Sequence, residues 1–114
     1  MNFSLFPSDK IFTVSEINNL LKEILEGSFP QIVIEGEISN YRPNSSGHLY
    51  FTLKDATSQI SAVMFKSNAY SLQFIPKDGV KVRCTGRLSV YSPRGNYQII
   101  LSKMEVAGEG DILK

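Results

Sequence analysis

From Val80 to Ser89 the chain alternates without a break: Val80, Val82, Cys84, Gly86 and Leu88 are interleaved with Lys81, Arg83, Thr85, Arg87 and Ser89. A period of two sends successive side chains to opposite faces of an extended backbone, so this segment must be a strand with one apolar face and one basic face. A strand of that kind needs partners that bury its apolar side. The sequence after Pro30 supplies them in the form of β-branched, period-two runs separated by turn clusters, the pattern of a small antiparallel barrel or sandwich.

Five strands are predicted. The first spans 31–40, with Gly36 inside it as a bend or bulge, because a strand glycine packs nothing and often marks a corner. The loop 41–47 follows. A second strand over 48–54 places Leu49, Phe51 and Leu53 on one face and His48, Tyr50, Thr52 and Lys54 on the other. Asp55–Ser58 turns the chain into a third strand, 59–66, which is apolar on both faces from Ala62 to Phe65. Residues 67–75 form an irregular or helical crossing, and Pro76-Lys77-Asp78-Gly79 reads as a turn. The fourth strand covers 80–91, a tight connection 92–96, and the fifth strand 97–106.

Ahead of the strands, Thr13-Val14-Ser15-Glu16 reads as a capping box opening a helix over about 14–26, with Val14, Ile17, Leu21, Ile24 and Leu25 at helical spacing and Gly27 as its left-handed stop. The predicted divisions are an arm at 1–12, the helix at 13–27, the barrel at 28–106 and the start of a linker at 107–114. A chain of 114 residues with 42% hydrophobic content can build one core without disulfides, and its lone Cys84 fits a buried thiol in a reducing setting. No stretch approaches the roughly 20 apolar residues of a membrane span, and Met1-Asn2-Phe3-Ser4 lacks the basic start of a signal peptide, so the expectation is a soluble cytoplasmic chain.

The net charge of +1 hides a sorting of charges along the chain. Residues 1–40 carry −4, residues 41–103 carry +7 and residues 104–114 carry −2, and all five tyrosines fall in the basic middle segment. Long first and fourth strands with inner glycines, and a crossing between the third and fourth, match the OB-fold, an all-β five-stranded Greek-key barrel, here preceded by an N-terminal helix. Its ligand face is formed by strands two and three with the loops joining strands one to two and four to five. At those places stand Tyr41, Arg42, His48, Tyr50, Lys54, Phe65, Lys66, Tyr91, Arg94 and Tyr97, and the polar face of strand four adds Arg83 and Arg87. Aromatic rings offer stacking surfaces to bases while Lys and Arg follow phosphates, a combination suited to single strands.

Catalytic signatures are thin. Glu35 and Glu37 lie two apart on one strand face and could hold a divalent ion, but they read better as an acidic strip facing the helix or the basic strand four. His48 has no Cys or carboxylate partner at ligand spacing. No catalytic residue, metal or cofactor is assigned.

The runs Thr13–Asn18, Val33–Asn40, Ser45–Asp55, Ala62–Lys66 and Tyr91–Gln98 together resemble the N-terminal domain of the bacterial exonuclease VII large subunit, over about residues 11–111. The resemblance implies a cytoplasmic exodeoxyribonuclease that cuts single-stranded DNA to oligonucleotides and assembles with copies of a small subunit. It implies that this domain grips DNA, while a C-terminal region absent from this chain hydrolyses it and binds the small subunit. Two other readings stay open from the residues themselves: an OB module binding tRNA, such as an anticodon-binding domain, and an assembly domain whose aromatic face docks within its own enzyme.

Overall fold

The computed structural model describes residues 5–108, so the start of the expected arm and residues 109–114 of the expected linker lie outside the described residues. The elements in chain order are α1 (Val14–Ser28), β1 (Ile32–Pro43), β2 (Leu49–Lys54), β3 (Gln59–Met64), α2 (Lys66–Ala69), β4 (Lys81–Tyr91) and β5 (Asn96–Val106). The strands close into a barrel in the order β1-β2-β3-β5-β4, and the β3–β5 pairing is parallel. This is the predicted five-stranded OB-fold barrel. Each strand sends alternate residues inward, and Ile38, Phe51, Met64, Val82, Cys84, Ile99 and Leu101 fill the interior with almost no exposure.

The capping box forms as the sequence requires. The Thr13 hydroxyl accepts from the Glu16 amide at 3.0 Å, and the Thr13 amide donates to the Glu16 carboxylate at 2.8 Å. The helix end differs from the reading above. Gly27 is not left-handed, and α1 runs on to Ser28, where the Phe29 amide still bonds Leu25 O at 2.8 Å. Pro30 sets this stop, since a following proline drives Phe29 out of the helical region, here to φ −131° and ψ 62°. The helix rests on β4 through half-buried Asn18, Leu25 and Glu26, so Val14, Ile17, Leu21 and Ile24 of the expected packing stripe stay exposed.

Strand boundaries also move. β1 continues to Pro43, because an irregularity between Ser39 and Arg42, with Asn40 at φ 53°, absorbs the extra residues and lets Arg42 and Pro43 pair again with β2. Tyr41 and Arg42 are therefore strand residues, not loop residues. Gly36 is the expected corner without being the bulge: β1 pairs with β4 up to Glu37 and with β2 from Glu37 onward. β3 ends at Met64, opposite Leu49, and β2 begins there, so Phe65 and Lys66 leave the strand and open α2, and His48 precedes β2.

Candidate nucleic-acid interface

The register of the ladders lays out the outer surface row by row, since directly paired residues share a face. One row runs Arg42, Tyr50, Val63, Ile100, Arg87 across β1, β2, β3, β5 and β4. The next runs Ser39, Thr52, Ser61, Gln98, Ser89. A third holds Glu37, Lys54 and Gln59, and there the Lys54 ammonium lies 3.9 Å from the Glu37 carboxylate. The β2–β3 face thus has one basic-aromatic row and one uncharged hydrogen-bonding row. The uncharged row was missed by sequence reasoning because Ser and Thr on a strand's polar face carry no signal beyond solvation, although Thr52 shares its face with Tyr50.

One end of this face is built around the β1–β2 loop. Asn44 holds that loop, its side-chain oxygen accepting from the Ser46 hydroxyl at 2.6 Å and from the Ser46 and His48 amides at 3.1 Å each. Gly47, at φ 93°, closes the turn in a conformation that favours glycine. His48 is then aimed across the sheet end, where its Nδ1 accepts the Lys66 amide at 3.0 Å and its ring meets Phe65 edge-on at 5.3 Å. An Nδ1 that accepts leaves Nε2 as the protonated nitrogen of the neutral ring. Phe65, 39% exposed, and Lys66 thus meet His48 at the end of the sheet where β2 begins, and Arg42 pairs with Tyr50 two residues further along β2. Tyr41 faces the other way. Its ring packs on Phe51 at 6.3 Å and burial pushes its phenol above the usual range, so it caps the core.

The other end is the β4–β5 hairpin. Tyr91 O accepts from the Arg94 and Gly95 amides at 3.1 and 2.8 Å, and Gly95 takes φ 72°. Tyr91 pairs with Asn96 and Val90 with Tyr97, so the two tyrosines, 51% and 59% exposed, lie on opposite faces of the ribbon. Tyr97 lines a dent of about 360 Å³ with Thr52, Gln59, Ile60, Ser61, Gly95 and Asn96. Tyr91 shares its side of β4 with Ser89, whose hydroxyl donates to Glu26 of α1 at 2.6 Å.

Arg83 and Arg87 stand apart, on the strand that borders neither β2 nor β3. Arg83 is flanked in register by Glu35 and Glu105, and its Nε donates to the Glu35 carboxylate at 2.7 Å. Both Glu35 and Glu37 therefore face cations, and among the described residues no three His, Cys, Asp or Glu side chains gather closely enough to share a metal ion. A larger groove of about 800 Å³ runs between residues 71–74 and β5, away from the aromatic face. Among the described residues no helix is long and apolar enough to cross a membrane.

Known proteins resemble this chain in sequence and in fold. The family described as OB-fold nucleic acid binding domain matches residues 12–105. An exodeoxyribonuclease 7 large subunit from Campylobacter hominis is 56% identical over 101 residues, covering 88% of this chain and 26% of the relative. Its counterpart from Xanthomonas euvesicatoria pv. vesicatoria is 50% identical over 103 residues, covering 90% and 23%. The chain spans about a quarter of the length of these relatives. Among solved structures, a replication protein A heterotrimer bound to ssDNA aligns with TM-score 0.56 at 18% identity, over 73% of this chain and 62% of that one. Asparaginyl-tRNA synthetase from Entamoeba histolytica aligns with TM-score 0.60 at 18% identity, over 69% and 21%. Both share the fold.

Proposed function

The chain belongs to the OB-fold nucleic acid binding domain family, and from that premise we propose that it is the single-stranded DNA-gripping module of an exodeoxyribonuclease VII large subunit, an enzyme of the cytoplasm that degrades single-stranded DNA to oligonucleotides. Hydrolysis and attachment of the small subunit belong to other parts of that protein, and this segment works without a cofactor. The observation that supports the reading is that Arg42 pairs with Tyr50 while Phe65 and Lys66 meet His48 at the start of β2, and that Tyr97 lines a dent with Thr52 and Ser61 at the other end of the β2–β3 face.

Such a face suits a flexible strand. Rings spaced along it stack on successive bases without selecting among them, at about 1–3 kcal/mol per base, and the flanking cations follow the phosphates. A duplex hides its base faces and gains only the phosphate contacts. The test is fluorescence anisotropy of a labelled oligothymidine of roughly 16 nucleotides, the upper site size of one such barrel, competed with RNA of equal length and with duplex. Tight, salt-sensitive binding with single-stranded DNA as the better competitor is expected. Absence of salt-sensitive binding at low ionic strength, or stronger competition by RNA, refutes the proposal.

A further inference from the structure

We infer that α1 sets the posture of the β4–β5 hairpin, with Asn18 as the positioning residue, and so fixes the width of the dent between that hairpin and the β2–β3 face; the functional part of this inference rests on the nucleic-acid reading above. Asn18 sits on the helix flank that meets β4, and its side-chain amide donates to Ser92 O at 2.9 Å in a half-buried setting. The same carboxamide lies against Gly95: a Cβ built at Gly95 would meet both Asn18 Nδ2 and Oδ1 at 3.2 Å. Two helical turns further along, the Glu26 carboxylate accepts a hydrogen bond from the hydroxyl of buried Ser89 at 2.6 Å. The helix therefore holds the ribbon at its base and at its tip.

Gly95 couples the helix to the dent because it has a neighbour on each side. Asn18 packs against it, and it also lines the dent, followed by Asn96 and Tyr97. The hairpin tip makes its own turn through Tyr91 O, and the Asn18 side chain bonds its backbone from another element. Ser92 Oγ, beside that bond, is buried without a hydrogen-bond partner, so the loop is not held by its own hydroxyl. Loss of the Asn18 bond leaves Gly95 free to move toward the space the carboxamide filled, and the Tyr97 wall moves with it.

Asn18→Ala is a mild change for the helix, since alanine is the better helix former. Oligothymidine binding by Asn18→Ala should weaken roughly 5-fold, the worth of one neutral hydrogen bond. A positioning role makes a sharper demand. In a Tyr97→Ala background the Asn18→Ala loss should shrink to less than about 2-fold, while in an Arg42→Ala background, at the other end of the face, it should persist in full. An undiminished loss in the Tyr97→Ala background, or unchanged binding by Asn18→Ala itself, overturns the inference. If the unaltered chain binds no oligonucleotide, the functional reading fails, and the brace is then judged by amide hydrogen exchange of the free chain: faster exchange over residues 92–97 in Asn18→Ala supports it, and unchanged exchange overturns it.

Discussion

Removing Arg94 should change the salt dependence of binding and removing Arg83 should not, although both arginines lie in the basic middle of the sequence. Arg94 stands at the hairpin tip and makes no ion pair among the described residues, whereas Arg83 is tied to Glu35 and faces Glu105 on the strand that borders neither β2 nor β3. On the proposed reading the cations that meet a bound strand are Arg42, Lys66 and Arg94, with Lys54 available if its 3.9 Å pair with Glu37 loosens. At roughly 0.7 per contact on a single strand, four contacts give a slope of log affinity against log salt near −3, or about a 50-fold loss of affinity between about 50 and about 200 mM salt. Arg94→Ala should reduce that loss to about 20-fold while weakening binding throughout. Arg83→Ala exposes the Glu35 charge, but on the far side of the barrel, where it is screened over about 10 Å at 0.1 M salt, so slope and affinity should stay those of the unaltered chain. Anisotropy titrations of a labelled oligothymidine across that salt range measure both. Equal flattening by the two substitutions would refute the placement of the interface.

Other perturbations test single links. Tyr50→Ala should cost about 1–3 kcal/mol of binding with the salt slope unchanged, because a ring stacks and neutralises nothing; a changed slope would contradict its role. Gly86→Ala should destabilise the barrel by about 3 kcal/mol, read by urea unfolding, since its Cβ would stand 2.4 Å from Ile100 O of the paired strand, backbone that cannot step aside. The Glu16 carboxyl is held below its ordinary 4.5, chiefly by the Thr13 amide, so its contribution to stability is present above that value and fades as pH falls through the lower folded value. Glu16→Gln should accordingly lessen the drop in melting temperature on acidification, and an identical drop in both chains would deny the cap any such role. Burial pushes the Cys84 thiol up to about 12, so native protein should resist thiol reagents at pH 8 and react fully once unfolded, as a colorimetric thiol assay will report.

What the sequence disclosed depended on how local the determining physics is. The capping box needs four adjacent residues, and strand faces need only a period of two, so Thr13, Glu16 and the inward set Leu49, Phe51 and Leu53 were readable directly. Register is not local. Whether Tyr41 stacks on a base or caps Phe51 depends on the irregularity after Ser39, and whether Tyr91 and Tyr97 share a face depends on which residues of the hairpin pair. Arg83 looked like part of a basic surface because Glu35 is 48 residues away in sequence, although it is the register partner in space. Asn18 and Asn44 gave no signal, since a carboxamide that organises a loop has the same composition as one left in water.

The sorted charges acquire a mechanical meaning once the strands are closed. The acidic first third of the chain supplies β1, and β1 lies between β4 and β2, so Glu35 reaches Arg83 and Glu37 reaches Lys54. Acids from one end of the sequence thereby quench part of the basicity of the middle. That quenching is uneven: it is strongest on β4 at Arg83 and weakest where Arg42, Lys66 and Arg94 surround exposed rings. A nearly neutral chain can in this way present one attractive side to a polyanion and withhold the other, and the side it presents is the one on which rings, hydroxyls and the braced hairpin meet. For such a surface the net charge of +1 is not an argument against nucleic acid. It follows from pairing some of the acids and bases with one another, Glu35 with Arg83 and Glu37 with Lys54, while other cations stay toward the aromatic face.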